Sequence, residues 1–258
     1  MLGNGLFSTY NPPAVWANDS FLMFDGINDY CIAAFASTVD ASAIMVRDNF
    51  TLNMWVEGQG DIEDDCTIWE MREVAASNVA YMRLWYDYSE EKLYFIRTDI
   101  DGANEQSALF SLSNSNFKKR NMITVTCITT HSDVPGVSQI FVNSSGGTAK
   151  TGGAVGPWSG AQTKLYYGAT AGTSQYFTGW IDNIAIWKGV LDSPTIVDIY
   201  NSREPKNETN SKDLMFYHAV NERDFIEGIN LVQNISYNAA YIPRFVTLSG
   251  TVVYNYNG

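Results

Sequence analysis

Short runs of alternating hydrophobic and polar residues, separated by turn residues, dominate this chain. In the clearest run, FTLNMWV at residues 50–56, Phe, Leu, Met and Val fall on one face and Thr, Asn and Trp on the other. Side chains alternate between the two faces of a β-strand, so such a run predicts a strand. The other predicted strands are residues 80–88, 92–97, 121–128, 138–142, 164–167 and 181–187.

One segment has the pattern of a helix instead. Ser193 stands at the N-cap position and Pro194 at the first helical position, while Ile196, Ile199 and Tyr200 share one face at helical spacing. This pattern predicts one short helix near residues 193–201. Many strands, one helix and frequent turns together predict an all-β fold, either an antiparallel sandwich or a jelly roll.

The charge of the chain argues against some classes of partner. The 258 residues include 28 acidic and 16 basic side chains, a formal net charge of −12, and 45% of the residues are hydrophobic. That apolar fraction is typical of a folded globular protein. Nucleic acid and membrane are not expected as partners, because phosphate would be repelled and no apolar run approaches the roughly 20 residues that span a bilayer.

The residues of common catalytic sites are scarce. The three cysteines are widely spaced and form no zinc motif, and His131 and His218 are the only histidines. Neither histidine has a nucleophile motif nearby. The carboxylates at residues 61–65 and 70–73 do not match the paired arrangement of glycanases. We therefore predict that the protein is not an enzyme.

Aromatic residues, at 14%, are the stronger functional indication. Exposed rings stack on sugar faces and are enriched at protein interfaces, whereas most rings in a sandwich fill its core. Trp158 lies in the turn-rich stretch at residues 156–160. We expect Trp158 to be exposed and to contact a glycan or a protein partner.

Several segments carry motifs in a particular order. The series starts with FDGINDY at residues 24–30 and FTLNMWV at 50–56, continues with MITVT at 122–126, IFVN at 140–143 and LYYG at 165–168, and ends with FTGWIDNIAIW at 177–187. This ordered series resembles the laminin-G-like, concanavalin A-like lectin/glucanase jelly-roll family. The resemblance implies a jelly roll over residues 20–203, with an N-terminal arm at 1–19 and a C-terminal extension at 204–258 that holds one or more strands.

The same resemblance implies two antiparallel sheets packed face to face, in a family whose members bind carbohydrate or protein and often hold structural calcium. Its first and last strands are neighbours, which would bring Asp25, Asn28 and Asp29 close to Asp182. Oxygen ligands of this kind suit Ca²⁺. In the alternative interpretation, Asp25 and Asn28 form a turn while Asp29 and Asp182 cap backbone amides.

The segments outside the resemblance are rich in apolar and aromatic residues, which are unfavourable in water, so we expect them to pack on the sandwich or on another chain. Residues 247–256 alternate like a strand and can add to a free sheet edge of the same molecule or of a neighbour. Tyr254, within this segment, is therefore a candidate partner contact.

The N-terminal sequence has neither the basic region nor the apolar region of a signal peptide. Phage structural proteins leave the cell by lysis and often use jelly-roll domains. We therefore expect a virion structural protein of the capsid-decoration or fibre type, made in the host cytoplasm, that contacts other virion proteins or its own copies and binds a cell-surface glycan. A soluble lectin or carbohydrate-binding module is the first alternative, and a polysaccharide hydrolase or lyase is the second.

Overall fold

Two antiparallel β-sheets form the fold. The computed structural model describes residues 22–27, 29–34, 49–59, 64–74, 79–98, 105–128, 136–152, 163–170, 174–202, 214–218, 245–249 and 253–254. Its strands are β1 (Leu22–Asp25), β2 (Tyr30–Ala34), β3 (Phe50–Gly58), β4 (Cys66–Val74), β5 (Val79–Asp87), β6 (Lys92–Thr98), β7 (Glu105–Ser111), β8 (Asn121–Ile128), β9 (Gly136–Val142), β10 (Ser145–Gly146), β11 (Lys150–Gly152), β12 (Thr163–Tyr167), β13 (Thr178–Lys188), β14 (Leu214–His218), β15 (Phe245–Ser249) and β16 (Val253–Tyr254). Its helices are α1 (Asn114–Phe117) and α2 (Ser193–Ser202).

Within the described residues, the first sheet has nine strands and the second has seven. The first sheet runs β10-β9-β8-β3-β13-β1-β16, with β11 paired to β9 and β14 paired to β13. The second sheet runs β15-β2-β12-β4-β5-β6-β7. Every strand pairing is antiparallel, as in the sandwich or jelly roll that the sequence predicts.

The main core lies between the two sheets and follows the predicted alternation. The four apolar residues that the sequence assigns to one face of β3, from Phe50 to Val56, are all buried in this core. Trp55 is on the opposite face, where α2 covers the first sheet with Ile196 and Ile199. Tyr200 of α2 stacks on Trp55 with ring centroids 5.8 Å apart. Strand β3 is therefore buried on both faces.

The helices agree only in part with the sequence prediction. Helix α2 confirms the helix predicted near residues 193–201. Helix α1 is not predicted, because four residues make a single turn and show no periodicity. Neither helix in the described part of the chain is long and apolar enough to cross a membrane.

Three strands from the C-terminal part of the chain add to the sheets. Strand β14 pairs with β13, β15 pairs with β2, and β16 pairs with β1, where Tyr254 is opposite Leu22. Strands β15 and β16 are close in sequence but belong to different sheets. The strand predicted over residues 247–256 is therefore not a single strand, because β15 and β16 lie in different sheets.

Candidate functional site

The outward face of the second sheet carries aromatic and cationic side chains. In β5, Met82 and Leu84 are buried in the main core. The residues that alternate with them, Tyr81, Arg83 and Trp85, therefore point to the opposite face and are half-buried. The local sequence thus gives β5 one apolar face for the core and one face that combines rings with a guanidinium group.

Two of the rings on this face form a stack. Trp85 is directly opposite Tyr94 of β6, and the two rings lie 5.1 Å apart at an interplanar angle of 15°. The Tyr94 hydroxyl donates a hydrogen bond to the Glu90 carboxylate, which also accepts one from Lys92 at 2.8 Å. The hydrogen bond to Glu90 orients the Tyr94 ring. We refer to the stacked rings of Trp85 and Tyr94 as the aromatic platform.

Arg83 lies beside this platform. Its guanidinium carbon is 4.8 Å from the centroid of the Trp85 ring and 5.5 Å from that of Tyr81, both within the range of a cation–π interaction. Its Nη1 atom donates to Gln175 Oε1 at 3.1 Å and contacts Thr170 Oγ1 at 3.5 Å. Within the described part of the chain, Nε of Arg83 has no hydrogen-bond partner and the guanidinium makes no ion pair.

A second arginine on the same face is already paired. Glu70 of β4 is fully buried and accepts a hydrogen bond from Arg72 Nε at 2.6 Å. The Arg72 guanidinium also lies 5.8 Å from the centroid of the Tyr81 ring. Tyr166 of β12 is directly opposite Glu70, and burial raises the pKa of its hydroxyl, so this hydroxyl is neutral near pH 7.

The face ends at a cavity of about 570 Å³. Among the described residues, those that line this cavity are Gly26, Asp64, Asp65, Ser89, Gln175 and Tyr176. Gln175 belongs to both places, because its side chain binds Arg83 while it also lines the cavity. Gln175 therefore connects the guanidinium of Arg83, which lies beside the platform, to the cavity.

Negative charge gathers at this cavity. Burial raises the pKa of Asp65, and the nearby carboxylates of Asp87, Asp64 and Glu90 raise it further. The surface thus changes from aromatic and cationic at its centre to acidic at one end. Rings can stack on apolar ligand faces, a guanidinium can donate hydrogen bonds to an acceptor, and carboxylates can accept them from hydroxyl groups.

The predicted metal ligands Asp25 and Asp29 lie in the turn between β1 and β2. Asp25 Oδ1 accepts a hydrogen bond from the amide of Ile27 at 2.8 Å, and Asp29 Oδ2 accepts one from the amide of Asp25 at 3.2 Å. Such contacts were expected under the turn-and-capping alternative. Gly26 has a φ of +80°, which favours glycine at this turn. Asn28, the third predicted ligand of the turn, lies outside the described residues.

Asp182 does not join this turn. Strands β1 and β13 are neighbours, as the resemblance implies, but Asp25 is opposite Thr178. Asp182 is four residues further along β13, roughly 13 Å away at about 3.3 Å per residue. The register therefore does not place Asp182 beside Asp25, and a calcium ion bound by these residues stays a prediction. Within the described part of the chain, no three Asp, Glu, His or Cys side chains form a group that could hold a metal ion.

Of the two predicted contact residues, Trp158 and Tyr254, the structure describes only the backbone of Tyr254. Trp158 lies outside the described residues, so its predicted exposure stays a prediction. Tyr254 lies in β16, whose backbone pairs with β1 of the same molecule. The strand that carries Tyr254 therefore adds to the protein's own sheet, and a contact between its side chain and a partner stays a prediction.

The sequence does not single out the residues of the outward face, although it contains a signal for them. Tyr81, Arg83 and Trp85 alternate with core residues along one strand, a pattern that puts a cation and two rings on one face. The next residue, Tyr86, is a fully buried ring of the core. Because both faces of β5 carry aromatic rings, the alternation alone does not tell which face is outside.

The two-sheet antiparallel sandwich defines the class of jelly-roll proteins. Residues 29–197 match the sequence profile of the concanavalin A-like lectin/glucanases superfamily, and the chain belongs to this superfamily. No curated protein sequence matches the chain.

Solved structures with the same fold are distant in sequence. The CBM40 module of the Ruminococcus gnavus IT-sialidase, bound to α2,6-sialyllactose, is 12% identical with a TM-score of 0.51, and the match covers 69% of this chain and 96% of that one. The binding domain of botulinum neurotoxin DC, in complex with rat synaptotagmin II, is 16% identical with a TM-score of 0.52, covering 80% and 46%.

The binding domain of botulinum neurotoxin serotype G is 14% identical with a TM-score of 0.50, and the match covers 71% of this chain. The chain spans only 42% of the length of that domain. At these identities the similarities show a common fold.

Proposed function

We propose that this protein is a non-catalytic carbohydrate-binding module whose ligand lies on the outward face of the second sheet. The observation that carries the proposal is the Trp85–Tyr94 stack beside the fixed guanidinium of Arg83. Sugar rings have apolar faces that pack on flat aromatic groups, and hydroxyl groups around their edges that need hydrogen-bond partners. The face supplies both kinds of contact.

The cavity next to the platform supports this proposal. Its carboxylates and the hydroxyl group of Ser89 are suited to hydrogen bonds with sugar hydroxyl groups. Its volume of about 570 Å³ is within the range of small-molecule sites, about 300–1,000 Å³. One sugar residue on the platform and a second in the cavity would use the whole surface.

The fold of the relatives is consistent with a sugar ligand. The CBM40 module with this fold is bound to a sialylated oligosaccharide. Belonging to a superfamily of lectins and glucanases leaves binding and hydrolysis both open, since function depends on the site and not on the fold. Stacking and fixed hydrogen-bond donors are sufficient for binding, which is why we favour a binding module over a hydrolase or lyase.

Loss of the platform should remove binding. We expect Trp85→Ala to weaken binding to the glycan selected from a glycan array by about thirtyfold or more, because truncating a central aromatic anchor costs about 2 kcal/mol or more. Trp180→Ala is the matched control, since Trp180 is a half-buried tryptophan of the first sheet. Titration calorimetry measures both affinities.

Three results would contradict the proposal. In the first, the unmodified chain binds no glycan of the array. In the second, the two tryptophan variants lose affinity equally. In the third, the protein releases reducing ends or unsaturated sugars from a bound polysaccharide. The last of these would favour the hydrolase or lyase alternative.

The virion role and the calcium ion stay predictions of the sequence. Mass spectrometry of purified virus particles would test the virion role.

A further inference from the structure

We propose that the ligand of this face is an oligosaccharide with a single acidic sugar, whose carboxylate binds the guanidinium of Arg83. This inference rests on the proposed carbohydrate-binding function and names the class of glycan. It follows from how charge is distributed over the second sheet.

Among the described residues, Arg83 makes no ion pair, although the chain is strongly acidic. Directly opposite it on β4 is Glu70, but the Glu70 carboxylate is bound by Arg72. Arg83, Arg72 and Glu70 together carry one net positive charge, although the chain has a formal net charge of −12. A carboxylate from the ligand would neutralise this charge.

The guanidinium of Arg83 is already held in place. Its contacts are neutral, namely the Trp85 and Tyr81 rings and the side chains of Gln175 and Thr170. The backbone of Gln175 is held in turn, because its backbone carbonyl accepts a hydrogen bond from the amide of Thr67 at 2.8 Å. A planar guanidinium that is fixed beforehand binds a carboxylate with little loss of side-chain entropy. No existing ion pair within the described residues has to break.

The acidic end of the same face limits the ligand to one carboxylate. Asp64, Asp65, Asp87 and Glu90 lie close enough together that three of them raise the pKa of Asp65. A uronic or sialic acid polymer would bring its next carboxylate toward this cluster and would be repelled. The neutral sugars of a singly acidic oligosaccharide would instead offer hydroxyl groups to these carboxylates.

A glycan array with matched members tests the proposal on the full chain. The array holds neutral oligosaccharides such as lactose and cellobiose, the singly acidic sialyllactose and cellobiuronic acid, and the polymer polygalacturonate. We expect the unmodified protein to prefer singly acidic members over their neutral counterparts and over the polymer. Arg83→Gln should reduce the affinity for the acidic members by about tenfold or more, as for loss of a charged hydrogen bond, and should reduce the affinity for neutral members by a smaller factor.

Two further variants serve as controls. Arg83→Lys keeps the positive charge but lacks the planar guanidinium, and it should bind the acidic members more tightly than Arg83→Gln does. This comparison also tests the role of the charge if Arg83→Gln lowers the melting temperature. Lys188→Gln removes an exposed cation at the end of β13 and should bind like the unmodified protein.

The outcomes separate this inference from the proposed function. If neutral and singly acidic members bind equally and Arg83→Gln weakens both alike, the acidic ligand is wrong and carbohydrate binding stands. If polygalacturonate binds most tightly, the limit to one carboxylate is wrong. If no member binds, the proposed function itself is contradicted.

Discussion

Asp182 is a buried carboxylate at the bulge of β13, and its ionisation couples the fold to pH. Its Oδ1 atom accepts a hydrogen bond from the amide of Asn183 at 2.7 Å. Burial raises the pKa of Asp182 from 3.8 to about 7, against the opposing effect of Arg120. Between these two pH values the folded protein keeps a proton that the unfolded chain loses. The free energy of unfolding should therefore decrease as pH rises from about 4 to about 7, and the contribution of Asp182 should be constant at higher pH.

Replacing Asp182 with Asn tests this dependence. Asp182→Asn should flatten the fall in unfolding free energy across this pH range by up to about 1.4 kcal/mol per pH unit. Glu57 and Asp65 contribute a slope of the same sign in both proteins, because burial also raises their pKa values. Urea denaturation at several pH values gives the slopes, with Asp198→Asn on the exposed face of α2 as the control. Equal slopes for Asp182→Asn and the unmodified protein would show that Asp182 is ionised in the fold.

Single residues also show where prediction from sequence ends. Ile68 and Trp69 are consecutive, yet both are buried in the main core, because the register of β4 shifts between Thr67 and Trp69. A bulge of this kind moves every later side chain to the other face of the strand. Simple alternation cannot place Arg72 on the outward face without knowledge of the bulge. The positions of Glu70 and Arg72 in the candidate site depend on this shift, so alternation along the sequence could not place these two residues.

At the scale of elements, α2 stabilises the first sheet from outside. Ile196 is 1% exposed and packs with Trp55 and Trp187 against the outer face of the sheet. We expect Ile196→Ala to lower the free energy of unfolding by about 2–5 kcal/mol, through lost burial and the cavity that remains. The neighbouring Val197 is 37% exposed on the other side of the helix, so Val197→Ala should change the free energy of unfolding by no more than about 0.5 kcal/mol.

Denaturation curves of the two variants compare the two sides of the same helix turn. Similar losses of stability would mean that α2 does not pack on the sheet through the face that carries Ile196. A loss only in Ile196→Ala agrees with burial on that face, since the helix propensities of the replaced residues differ little.

Elements with strong local patterns were predictable, and those defined by distant contacts were not. Strand β8 occupies the predicted residues 121–128, and β5 and β6 match the strands predicted at residues 80–88 and 92–97 to within one residue at each end. All three have alternating residues and clear turn signals. Strand β4 is not predicted, because its bulge interrupts the alternation. Helix α1 is too short to show a period at all.

At the scale of the whole molecule, the order of strands within each sheet is the part that a single sequence leaves open. Strand β13 lies between β3 and β1, although β3 and β1 are more than 100 residues away from it in the chain. Pairing at that separation depends on which surfaces bury each other, and local patterns do not report it. The jelly-roll order came instead from the ordered motifs of the family resemblance.

The C-terminal strands cover the edges that this order creates. Strand β15 pairs along β2 over five residues from Phe245 to Ser249, and β16 pairs with β1. Strand β14 occupies the part of β13 that β1 does not reach, from Ile184 to Trp187. Without them, the backbone amide and carbonyl groups of β1, β2 and β13 would lie at open edges, and open edges pair with other chains.

A chain that ends at Arg203 lacks all three of these strands and tests their role. We expect the shortened chain to self-associate, so that its sedimentation coefficient increases with concentration while that of the full chain stays constant. We also expect the shortened chain to melt at a lower temperature.

Thr247→Pro removes a single backbone amide from the middle of β15 and should give a weaker form of the same behaviour, because proline cannot donate a ladder hydrogen bond. A shortened chain that keeps the sedimentation coefficient of a monomer at every concentration would show that covering these edges is not what prevents association. In that case the apolar residues beyond Arg203 would require another explanation, such as contact with a partner in a larger particle.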